Sequence, residues 1–199
     1  MVDIAVPGAS RSWRAVLAAL AASLLLLLAA CSPEYDWRDV RGPGGEYWVQ
    51  LPARPATMTR RIHLEGLEVE MTMQGARVGE RAFTVAVVPL PGPDAEAAGM
   101  TSERILAAMR EQMLRNIGAP PTSPTQAVAV RLVGADGREV GKTQLQAVTA
   151  HGTGTHSAME LHGRFGIFQG HALQIVGIGP QLDPQQTEHF LESLRLVQQ

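Results

Sequence analysis

Leu67-Glu68-Val69-Glu70-Met71-Thr72-Met73 decides the fold class, because every odd position is apolar and every even position is polar. Successive side chains leave a β-strand on opposite sides, so this alternation is what one buried and one wetted face requires. The same reading extends outward in both directions. Tyr47, Val49 and Leu51 form an apolar face closed by Pro52. Residues 58–64 make a strand with Arg61 and His63 on its polar side, and Phe83, Val85 and Val87 alternate up to Pro89. Together they read as a meander of about three or four antiparallel strands.

The period then changes. Ile105, Met109, Met113 and Ile117 recur every fourth position, joined by Leu106 and Leu114. That spacing predicts an amphipathic helix, started by Thr101 or Ser102 with Glu103 in its first turn. Gly118 is a natural stop, and Pro120 and Pro121 forbid continuation. Strand signals return over residues 128–133, 139–149, 158–168 and 172–178, with Gln169-Gly170 at the length of a tight hairpin. Asp183, Pro184 and Gln186 spell a helix start with a capping box, and Phe190, Leu191 and Leu194 supply its apolar stripe. Leu196-Val197 adds a final edge strand. The expected fold class is therefore α+β: an antiparallel sheet of about six to eight strands, with one central amphipathic helix and one C-terminal helix packed on it.

The chain has 199 residues, 45% hydrophobic and 18% charged, with a formal charge of −2. That length suits a leader plus one domain. The near-neutral charge supplies no basic field for nucleic acid. A single cysteine excludes an internal disulfide framework.

Residues 1–30 form a targeting segment: Arg11 and Arg14 end a positive region, and residues 15–30 carry no charge. The junction Leu28-Ala29-Ala30-Cys31 resembles the lipobox of bacterial lipoproteins at all four positions. The resemblance implies that Leu28, Ala29 and Ala30 are read by a dedicated signal peptidase and that Cys31 is acylated and becomes the first mature residue. Ser32, where an aspartate would favour inner-membrane retention, implies the outer membrane. Two or three acyl chains make a stable bilayer anchor where one is marginal. Loss of Arg11, Arg14 and Asp3 leaves 15 basic and 18 acidic side chains, a charge of −3, so the lipid acts without electrostatic help. Residues 31–45 read as a lipidated flexible tether, with Tyr35 and Trp37 either docking on the domain or resting at headgroup level. Residues 46–199 read as one domain.

A second resemblance covers residues 45–199. Leu51-Pro52-Ala53-Arg54-Pro55, the element order and the ending Ser193-Leu194-Arg195-Leu196 are similar to those of small bacterial lipoproteins with a PsbP-like α/β/α sandwich. It implies binding and assembly roles more than catalysis.

Motifs for chemistry are sparse. Gly141-Lys142-Thr143 lacks the upstream glycine of a phosphate loop, and no Gly-x-Ser-x-Gly elbow occurs. His151 and His156 bracket the loop Gly152-Thr153-Gly154-Thr155 and, with Glu160, are the residues that a zinc or copper site would use. His162 shares a face with Glu160 and Arg164, as solvated side chains do. Glu68 and Glu70 read as a wet strand face, and inward-facing Met71, Met73, Met109, Met113 and Met159 read as core filler. Arg41, Arg60 and Arg61 are candidates for phosphate headgroups, though arginine is common throughout. No catalytic residue, resident metal or cofactor is assigned. The expectation is a non-enzymatic lipoprotein at the periplasmic face of the outer membrane, anchored in the bilayer through Cys31. It would bind an envelope protein partner and assist envelope assembly or maintenance. The competing expectation is a small-ligand or metal carrier using an apolar pocket or the His151/His156 loop.

Overall fold

In the computed structural model, residues 33–64, 66–90, 92, 102–154 and 157–198 are described, and every element below lies in the unit Tyr35–Gln199. The sheet begins with β1 (Arg38–Arg41), β2 (Tyr47–Leu51), β3 (Ala56–Leu64), β4 (Leu67–Val78) and β5 (Arg81–Pro89). Helix α1 (Ser102–Asn116) follows, then β6 (Thr125–Val133), β7 (Glu139–Gly152), β8 (Met159–Phe168) and β9 (His171–Gly179). The chain closes with α2 (Pro184–Glu192) and β10 (Arg195–Val197). The strands form one sheet in the order β1-β2-β10-β6-β7-β8-β9-β5-β4-β3. Neighbours are antiparallel except β10 and β6, which run parallel.

This overturns the α+β expectation. Among the described residues the protein is mostly β: a ten-stranded sheet curled into a half-barrel, with two helices. The strand outside the expected set is β1, and it carries no periodic signal. β1 reads Arg-Asp-Val-Arg and is largely exposed, and β10 is three residues long. Much of β6 is solvent-facing, so its N-terminal half offers no buried alternation. Leu196-Val197 also lies inside the sheet, between β2 and β6, rather than at its edge.

Local chemistry explains the helix ends. Gly118 takes a φ of +69° and donates to Arg115 O, while Ala119 N donates to Leu114 O at 3.0 Å. That is a Schellman closure of α1, which needs a residue at ease in the left-handed region. Asp183 caps α2 by accepting from Gln186 N at 2.9 Å, with Pro184 at its first turn. The β8–β9 hairpin turns on Gln169 and Gly170, both with positive φ.

Register assigns the two cores to opposite faces, since directly paired residues point the same way. Val85 opposite Ile175 belongs to the cluster that buries Phe190 and Leu191 of α2. Val88 opposite Ala172 belongs to the cluster that buries Ile105, Met109 and Leu114 of α1. Within the segment read as a tether, β1 pairs with β2, and Tyr35 and Trp37 pack on the α2-side core, 5.9 Å apart and stacked. Tyr47 is core, whereas Trp48 is half-buried with Arg41 over its ring at 5.7 Å.

Candidate binding groove

On the α1 face, Met58, Arg60, Ile62 and Leu64 of β3 and Val69, Met71 and Met73 of β4 point toward the helix. The register sets Met58 opposite Met73 and Arg60 opposite Met71. Met73 then faces Ala86, and Ala86 faces Gln174, so one row crosses from the β3 edge to β9. Met109 and Met113 of α1 lie over this row, with Gln112 and Asn116 beside them. Between helix and strands remains a cavity of about 470 Å³. A neighbouring cavity of about 500 Å³ continues along β3 to β5 and shares Met58, Arg60, Met73 and Thr84 with the first. The two form one groove.

Its chemistry is mixed in an ordered way. The part under α1 is walled by thioethers and aliphatic side chains, including Ile62, Leu64 and Ile178. Guanidinium groups belong to the outer part: Arg60 is common to both cavities, and Arg54 and Arg77 line the second. Among the described residues no carboxylate lines either one. Among the described residues Arg60 Nη2 reaches only Met58 Sδ, at 2.8 Å, and a thioether is a weak acceptor. At the inner end Gln174 is 4% exposed, and its Oε1 has no partner among the described residues.

The methionines expected as core filler divide. Met109 is buried, while Met71, Met73 and Met113 are half-buried and line the groove. Met58, outside the expected set, is 45% exposed and lines both cavities. Sequence periodicity marks all of them as inward-facing, and nothing in it tells a filled interior from an open one.

His63 lines the cavity under α1, whereas His151, His162, His171 and His189 lie on the α2 face. Cross-strand pairs set His151 opposite Glu160 and Thr149 opposite His162. Partial burial holds the His162 imidazole below its ordinary pKa; Glu160 opposes that shift, His151 adds to it and Glu188 opposes it. His171 donates through Nδ1 to Gln169 O at 2.9 Å. His189 donates through Nε2 to Gln50 Oε1 at 2.8 Å and lies 4.5 Å from the Trp37 ring. Among the described residues no three metal-capable side chains come together. His156 lies outside the described residues, as do Leu28, Ala29, Ala30, Cys31 and Ser32.

Glu68 and Glu70 occupy the wet face of β4, where Arg61 meets Glu68 at 3.2 Å. On the α2 face, Arg164 is buried yet fully engaged. It donates to Glu192 and lies 3.5 Å from Glu188, both on α2.

No protein-family model and no curated protein sequence matches the chain. The groove therefore has to be read from its own chemistry.

Proposed function

We propose that the protein is a non-enzymatic binding protein of the bacterial envelope, anchored by acyl chains on Cys31 at the periplasmic face of the outer membrane, with the α1 groove as its binding site. The observation that carries this reading is the open, methionine-walled groove between α1 and β3, β4, β5 and β9. Small-molecule sites run to roughly 300–1,000 Å³, mostly apolar with a few convergent polar groups. A volume of about 470 Å³ falls in that range. Flexible thioethers suit a wall that must adapt to what it holds. Of the two expected occupants, the groove favours a small ligand over a folded partner, and the carrier reading takes precedence over envelope assembly.

Two measurements test the two halves of the proposal. Acyl-chain labelling in cells should tag the wild-type chain and leave Cys31→Ser untagged. Native mass spectrometry of the Tyr35–Gln199 unit should show a bound small molecule that Met113→Trp excludes. An untagged wild type refutes the anchor. A unit that carries nothing, and takes up nothing from an envelope lipid extract, refutes the groove as a site.

A further inference from the structure

Resting on the groove as the binding site, the geometry points to a specific ligand class: a long-chain fatty acid whose carboxylate pairs with Arg60, whose chain lies under α1, and which bears a hydroxyl that donates to Gln174. Three independent features support it. The first is charge. Among the described residues, Arg60, Arg54 and Arg77 have no carboxylate within ion-pair distance and no acidic side chain lines the groove. A guanidinium fork fits a carboxylate with two parallel hydrogen bonds, and it gives up only a weak thioether contact to do so. Arg54 and Arg77, farther along the same channel, add a field that draws an anion to its mouth.

The second feature is the apolar wall. From Arg60 inward the surface is Met58, Met71 and Met73 on one side and Met109 and Met113 on the other. Only an apolar chain gains from filling it. A compact anion would be satisfied by the arginines alone.

The third feature is Gln174. It stands on β9, three strand spacings from β3, so about 14 Å separates it from the groove's outer edge. A buried amide oxygen without a partner is costly, and a site that holds one favours a ligand bringing a donor. An unsubstituted chain would leave that oxygen without a partner. A hydroxyl in the far half of the chain answers it.

The test uses the Tyr35–Gln199 unit, which holds every described residue of the two hydrophobic clusters. Displacement of a fluorescent fatty-acid probe is measured with myristate, myristyl alcohol, myristate hydroxylated in the far half of its chain, lysophosphatidate and anionic vesicles. Circular dichroism confirms that each variant is folded. Myristate should displace the probe about tenfold more effectively than the alcohol, and Arg60→Gln should erase that difference. The hydroxylated acid should displace it about fivefold better than myristate, and Gln174→Leu should erase that gain.

A folded unit that binds neither probe nor any competitor refutes the groove as a site. Equal displacement by acid and alcohol, with Arg60→Gln silent, refutes the carboxylate assignment while leaving the site standing. Preference for lysophosphatidate over myristate, or response to vesicles alone, overturns the fatty acid in favour of a phosphate headgroup or a bilayer surface. Equal displacement by hydroxylated and plain acids overturns the role given to Gln174.

Discussion

The Tyr47 hydroxyl donates to Gln74 Oε1 at 2.8 Å, joining β2 to β4 although six strands stand between them in the sheet. Both side chains are buried. The bond exists because the sheet curls toward α2, bringing its two flanks together over Phe83 and Phe190, whose rings meet edge to face at 5.3 Å. Gln74 also donates through Nε2 to Thr57 Oγ1 at 3.1 Å, which extends the link to β3.

Tyr47→Phe keeps the ring and removes the donor. It leaves Gln74 Oε1 buried without its partner, so it should destabilise the fold by about 1–2 kcal/mol in urea unfolding. Burial, with the Glu46 charge second, pushes the phenol's pKa well above its ordinary value. Absorbance titration of the wild type should therefore show this tyrosine still protonated where exposed tyrosines ionise.

The hydrogen bond from Arg164 holds the Glu192 carboxyl below its ordinary pKa of 4.5, with burial opposing. A carboxyl depressed in the folded state stabilises above its unfolded pKa, and that contribution is lost as pH falls through the folded value. The stability difference between wild type and Glu192→Gln should thus be greatest above pH 4.5 and shrink in acid. Chemical denaturation across that range measures it, and a difference that stays constant with pH would reject the pairing.

His162 is depressed from 6.5 by burial, so the folded state disfavours its protonated form. Stability tied to this residue is fully present above pH 6.5 and declines as pH falls toward the folded pKa. NMR titration should place its midpoint below 6.5. His151→Gln should raise that midpoint by removing a like charge, and Glu160→Gln should lower it further. Movement in the opposite directions would show that these side chains do not face one another as described.

Gly152 is where β7 meets the end of α1. A Cβ there would lie 1.8 Å from Ile117 O, which also accepts from Gly154 N at 3.0 Å. Gly152→Ala must push helix and strand apart, at a cost of about 1–3 kcal/mol in thermal or urea unfolding. Since α1 roofs the groove, the same variant should also weaken probe binding more than Gly170→Ala, which has open space around its Cβ and is strained only by its φ of +74°.

Much of the fold was legible from local pattern. The alternation at 67–73, the four-residue spacing from Ile105 to Ile117, and the Asp183-Pro184-Gln186 start all mark real elements, because each depends on forces acting within a few residues. Arg38–Arg41 was not legible as a strand, since its reason for being one is its partner β2 and not its own side chains. The position of Arg195–Val197 between β2 and β6 likewise depends on residues far away in sequence.

The groove divides the same way. Sequence alone determined that Met71, Met73, Met109 and Met113 face inward and that Arg60 shares a strand with Met58, because side-chain direction follows backbone period. Whether those side chains close on one another or leave space was decided only by the tertiary structure. The height at which α1 rests on the sheet is set by Gly152 against Ile117, by Leu161 and Val176 beneath the helix, and by a register that puts Gln174 at the inner end. Packing distances of that kind are a property of the whole sheet, and no local stretch of sequence encodes them.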